Sequence, residues 1–201
     1  RKAGFVDVPG AQRIFRRMLA TPQQRQLSGM FLPHLITALG EAGGMDRVLG
    51  SFERFLLSSR DLITTYRFLA NNPRSVEILV RIFAGSQFLT EILLRNPEYF
   101  ERFFEYRRLA TDKSALQLTQ EARNALTAYN ATVDKLDALR RFQRWELLRI
   151  GACDLLDLFD LPMAAAQLAN LADAMVQVCL ETVAQQLKIS PDHFAVIGMG
   201  K

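Results

Sequence analysis

Apolar residues recur at three- and four-residue spacing along nearly all of this chain up to about residue 190, and helix caps or prolines fill the breaks. That period places one apolar stripe on each helix and leaves no room for the alternation a half-buried strand needs. Gly4 to Pro9 reads as a short irregular lead. Ala11 to Ala20 follows as a helix with Ile14, Phe15, Met18 and Leu19 on its stripe. Pro22 punctuates, and a longer helix runs from about Leu27 to Leu39 until Gly40, Gly43 and Gly44 end it. Asp46 opens the next, with Val48, Leu49, Phe52, Phe55 and Leu56 inward. Asp61 caps one holding Leu62, Ile63, Tyr66 and Leu69.

A device then recurs. Asn72-Pro73 and Asn96-Pro97 each set an N-cap residue before a proline at the first helical position, and Ala84-Gly85-Ser86 closes one helix while Ser86 opens another. Residues 60–106 therefore read as four short helices packed as hairpins. Thr111 to Ser114 is polar and short, and forms the expected seam. Beyond it the helices lengthen, at about 114–130, 133–159 and 162–187. The last carries Leu168, Leu171, Met175, Val178 and Thr182 at bundle spacing. The predicted fold is all-α, antiparallel helical hairpins and a bundle, ending in a residual β-strand or disordered tail. Its predicted parts are an N-terminal helical subdomain at 1–110, a long-helix bundle at 111–190 and a truncated strand and turn at 191–201.

With 201 residues, 49% of them apolar and 23% charged, the chain has the composition of a soluble globular protein and length for a sizeable core. No apolar run approaches the roughly 18–20 residues of a bilayer crossing, so no membrane contact is expected. The basic start, Arg1-Lys2-Ala3-Gly4, lacks a following apolar signal-peptide core. Cys153 and Cys179 have no metal-ligand spacing and read as reduced thiols, which suits the cytoplasm. The net charge of +4 comes from scattered arginines and does not demand an acidic partner.

The end of the chain carries the clearest chemical hint. Phe194-Ala195-Val196-Ile197 is an apolar run that breaks into Gly198-Met199-Gly200-Lys201. A buried strand feeding a glycine turn lets backbone approach a phosphate closely, which makes Gly198, Gly200 and Lys201 the nucleotide-binding candidates. A P-loop would need four residues between its glycines, and a dinucleotide fold a third glycine and a partner strand. Chemistry served by such a turn is expected beyond Lys201.

On the helix spanning Leu136 to Phe159, the residues Leu136, Leu139, Phe142, Leu147, Ile150 and Cys153 share one arc. Glu146 falls within it, and Arg149 lies one turn away. A lone buried charge costs several kcal/mol, so the pair should be satisfied mutually or by a neighbouring helix. Arg149 or Arg144 reaching a phosphate or a catalytic domain is the functional reading; an internal ion pair fixing helix register is the favoured one. Asp154, Asp157 and Asp160 spread round their helix rather than converging, so no metal site is expected, and Asp160 reads as a cap before Leu161-Pro162. Phe100, Phe103 and Phe104, set among Arg102, Arg107 and Arg108, share a helical face, which is core geometry rather than a base-stacking platform. Neither His34 nor His193 has a partner at useful spacing. No D-x-D pair for two metal ions is present, and no catalytic residue is assigned.

Taken in order, several elements resemble the glutamine synthetase adenylyltransferase family. They are Gly4-Phe5-Val6-Asp7, Phe31-Leu32-Pro33-His34-Leu35, Ser51-Phe52-Glu53-Arg54-Phe55-Leu56, Asn72-Pro73, Ser86-Gln87-Phe88-Leu89 and Arg95-Asn96-Pro97-Glu98. The tracts Leu139-Arg140-Arg141-Phe142, Glu146-Leu147-Leu148-Arg149-Ile150, Asp154-Leu155-Leu156 and Leu171-Ala172-Asp173-Ala174 resemble the helical lead-in to the family's catalytic domain. Phe194 to Lys201 resembles that domain's first strand. The resemblance implies part of an enzyme that uses ATP and Mg2+ to attach AMP to a tyrosine of glutamine synthetase, or to remove it, under control of glutamine and a PII signal protein. It implies a helical regulatory or substrate-docking portion, itself inactive and without bound cofactor, because the family's metal-binding aspartates fall past Lys201. A non-enzymatic helical protein-interaction module is the alternative. A nucleic-acid binder is disfavoured.

Overall fold

A computed structural model describes residues 4–105, 109–190, 192 and 195–197. They form ten helices: α1 (Val8–Met18), α2 (Pro22–Glu41), α3 (Met45–Ser58), α4 (Leu62–Asn71), α5 (Pro73–Gly85), α6 (Gln87–Arg95), α7 (Glu98–Glu105), α8 (Ala115–Leu126), α9 (Thr132–Leu155) and α10 (Leu161–Leu187). No strand occurs among the described residues, and Ala195 to Ile197 is irregular. The chain divides into two compact units, 1–107 and 108–201.

In the first unit α2 packs on α5, α4, α3 and α1, and α3 packs on α5 and α6. Their buried stripes meet as a string of rings. Tyr66 stands edge-on to Phe31 at 5.5 Å, Phe31 tilts against Phe52, Phe52 and Phe55 meet Phe83, and Phe100 lies edge-on to Phe55 at 5.2 Å. Edge-on rings add to the area they bury, because the positive edge of one meets the negative face of the next. Phe100 and Phe103 are buried, so these two rings of the arginine-flanked run are core; the side chain of Phe104 lies outside the described residues. Tyr66 Oη donates to the carbonyl of Met18 at 3.1 Å, closing the end of α1 from inside the core.

The boundaries differ from the predicted ones for local reasons. α1 begins at Val8 because Asp7 caps it, accepting from the Gly10 amide; a Cβ at Gly10 would lie 2.0 Å from Asp7 Oδ2. Pro22 starts α2 rather than preceding it, since Thr21 and Gln24 form a reciprocal capping box. Asp46 does not cap α3, which Gly44 opens at φ 73°. Asp46 instead accepts from the Val6 and Asp7 amides at 2.9 and 3.0 Å. Asn72 and Asn96 sit where predicted, but their side chains face backwards. Each amide donates to the carbonyl four residues earlier, Phe68 and Ile92, at 2.9 and 2.8 Å, so each closes the helix before it.

In the second unit α8, α9 and α10 pack pairwise. One core cluster centres on Leu118, Ile150, Cys153, Phe159 and Leu171, and a second on Ala122, Leu126, Leu139 and Val178. α8 stops at Leu126, short of the predicted 130. On α10 the buried stripe is Ala164, Gln167, Leu171, Ala174, Val178 and Thr182; the predicted Leu168 faces out. α10 also corrects the reading that no apolar run nears bilayer length. By length and composition alone its 27 residues are apolar enough to cross a membrane, although its buried stripe packs on α8 and α9.

Candidate functional site

The second unit is built round a buried charge cluster. Glu146 and Arg149 lie three residues apart on α9, hence on one face, and both are fully buried. Arg149 Nε donates to Glu146 Oε2 at 2.7 Å. Its Nη1 donates to the carbonyls of Leu109 and Thr111, and its Nη2 to Gln167 Oε1 at 2.8 Å. The guanidinium also stands 5.9 Å from the centre of the Phe159 ring. Every arm of the planar fork is used, an arrangement a lysine could not reproduce.

The other Glu146 oxygen accepts from Lys113 Nζ at 2.9 Å, and the same ammonium donates to Glu121 Oε2 at 2.6 Å. Burial by itself would depress the Lys113 pKa. Its hydrogen bond to Glu121 and the charge of Glu146 outweigh that and hold it above the ordinary lysine value. Gln167 Nε2 reaches Asp112 Oδ1 and the Lys113 carbonyl, and Asn170 reaches that same carbonyl. The cluster therefore fixes the backbone of 109–113 onto α9 and α10. Each charge buried here has a counter-charge and hydrogen bonds, which offsets a desolvation cost of several kcal/mol per ion.

Arg144 is exposed on α9 and does not join the cluster. Gly198, Gly200 and Lys201 lie outside the described residues. Lys113 and Gln167 were not singled out in the sequence, yet both are integral. Gln167 had a visible signal, being a polar residue within the apolar stripe of α10. Lys113 had a weaker one, as the residue before the Ser114-Gln117 capping box that opens α8.

Elsewhere on α9 and α10 an open apolar groove of about 580 Å³ is lined by Leu136, Leu139, Met175, Cys179, Leu180 and Val183, with Arg140 and Gln143. Val196 also lines it. Burial raises the Cys179 thiol pKa against the opposing charge of Arg140, and pushes that of Cys153 up to about 11. Asp160 caps α10 through the Met163 amide, while Asp157 takes the left-handed turn at φ 57°. Among the described residues no three His, Cys, Asp or Glu side chains converge.

The family model described as glutamate-ammonia ligase adenylyltransferase matches residues 76–201. Over 174 residues the chain is 28% identical to the bifunctional glutamine synthetase adenylyltransferase/adenylyl-removing enzyme of Agrobacterium fabrum, covering 84% of the chain and 18% of that protein. A protein of the same name from Brucella suis is 26% identical over 190 residues, 92% of the chain and 19% of the relative. That of Thioalkalivibrio sulfidiphilus is 23% identical over 224 residues, covering the whole chain and 23% of the relative. The chain spans about a fifth of the length of these relatives. With more than half its residues matched by the family model, the chain belongs to the glutamate-ammonia ligase adenylyltransferase family.

Proposed function

We propose that this chain is the helical, regulatory or substrate-docking region of an enzyme that adenylylates or deadenylylates glutamine synthetase. The observation that carries the reading is the family match, which spans residues 76–201, from within α5 to Lys201. In this reading residues 1–110 form an N-terminal helical subdomain and 111–190 the bundle that leads to a nucleotidyltransferase domain. Residues 191–201 belong to that domain's first strand and turn, with Gly198, Gly200 and Lys201 beside the nucleotide. ATP and Mg2+ bind in the nucleotidyltransferase domain, and the chain itself supplies no catalytic residue. Glutamine and a PII signal protein act as effectors in the cytoplasm.

Calorimetric titration of the chain into purified glutamine synthetase, with and without glutamine and PII protein, tests this. Saturable binding whose affinity changes with an effector is the expected result. A folded chain that gives no binding heat and does not pull down glutamine synthetase would contradict a docking role. It would leave the helices as a scaffold for the catalytic domain.

A further inference from the structure

We infer that the outward face of α10 is an interface between two copies of this chain, paired antiparallel about a two-fold axis level with Ala174. The bundle uses one stripe of α10, and the helix carries a second. Leu161, Leu168, Val176, Val183 and Leu187 are 78%, 45%, 44%, 39% and 60% exposed, and Ala165 and Ala172 between them are exposed as well. At 3.6 residues per turn these positions share an arc of about 100°, as wide as a core-facing stripe, and no charged residue falls within it. This stripe is what makes α10 apolar enough, by composition, to cross a bilayer. An uncharged strip about 40 Å long marks a contact surface rather than an ordinary solvated face.

The order of residues along the strip decides which partner fits. On an antiparallel copy, Leu161 meets Leu187, Ala165 meets Val183, Leu168 meets Leu180, and Ala172 meets Val176. Large stands opposite small at two of these pairs. Where two leucines meet, the open groove beside Leu180 gives Leu168 of the second copy room to enter. At the ends, exposed Asp160 of one copy faces exposed Lys188 of the other, and each helix sets its positive N-terminal end beside the negative C-terminal end of its mate. A parallel copy would oppose Asp160 to Asp160 and Lys188 to Lys188. The face is therefore complementary to itself, as an isologous two-fold interface requires. None of this depends on glutamine synthetase or on the family reading.

Sedimentation velocity of the 201-residue chain tests the inference, with Val176→Glu on the strip and Leu116→Glu on α8, where the leucine is 75% exposed, as its control. The parent should pass from monomer to dimer as concentration rises. A single substitution enters a two-fold interface twice, so Val176→Glu should raise the dissociation constant by about a hundredfold or more, and Leu116→Glu should leave it within about twofold. Circular dichroism should show both variants as helical as the parent, because both positions face solvent. Disulfide trapping in a Cys179→Ser background reads the register. Ala172→Cys chains mixed with Val176→Cys chains should cross-link on oxidation far faster than either chain alone. A parent that stays monomeric at every concentration would overturn the inference. So would equal dissociation constants for Val176→Glu and the parent, or cross-linking of either chain alone as fast as the mixture.

Discussion

Lys113 illustrates how a single side chain can be both buried and charged. Its ammonium sits between two carboxylates, one fully buried and one at the surface, and removing it leaves Glu146 with only half its partners. Lys113→Met should therefore lower unfolding stability by about 3 kcal/mol in urea denaturation, the usual cost of breaking a buried pair from one side. Ser75 presents the reverse case. Its hydroxyl is buried with no hydrogen-bond partner, so Ser75→Ala should be neutral or stabilise by up to about 1 kcal/mol. Tyr66 gives a signal in pH. Burial, reinforced by the charge of Glu53, pushes its phenol up to about 12. A raised pKa contributes stability that is complete below the unfolded value near 10 and is lost as pH rises through 12. Absorbance titration should show a late-ionising tyrosine component that Tyr66→Phe removes, and stability should fall progressively across that alkaline range.

At the scale of elements, the asparagine–proline junctions show what sequence can and cannot specify. That a helix starts at Pro73 was legible, since proline fixes φ and needs no donor there. The direction in which Asn72 bonds was not, because the same side chain can accept from the helix ahead or donate to the one behind. Asn72→Asp separates the two. An N-cap would tolerate aspartate, whereas the observed back-bond loses its donor and sets a negative charge beside the carbonyl end of α4. We expect a loss of about 1–2 kcal/mol on thermal unfolding. The slip from Gln167 to Leu168 has a similar origin. Period reading assigns stripes to apolar residues, and a glutamine held by an arginine fork is buried for its hydrogen bonds rather than its surface.

At the scale of the molecule, the stripe of α3, the capping residues Asp61, Ser86 and Asp160, and the long helices of the second unit were legible, because local periodicity and capping chemistry determine them; on α9 only Leu139, Ile150 and Cys153 of the predicted arc are buried, and Trp145 and Leu148 join them. The cluster was only half legible. Glu146 and Arg149 share a helix and betray each other by spacing, while Lys113 and Gln167 come from 33 and 18 residues away, to Glu146 and Arg149 respectively, distances that no period reports. This cluster binds the 109–113 backbone into the second unit, and Arg149 is spent on that task rather than on an external phosphate. Urea unfolding of Arg149→Lys beside Arg144→Ala tests it most directly. Arg149→Lys, which keeps the charge but not the fork, should lose about 3 kcal/mol, and exposed Arg144→Ala should change stability by no more than about 0.5 kcal/mol. Unchanged stability in Arg149→Lys, with glutamine synthetase binding lost, would contradict it.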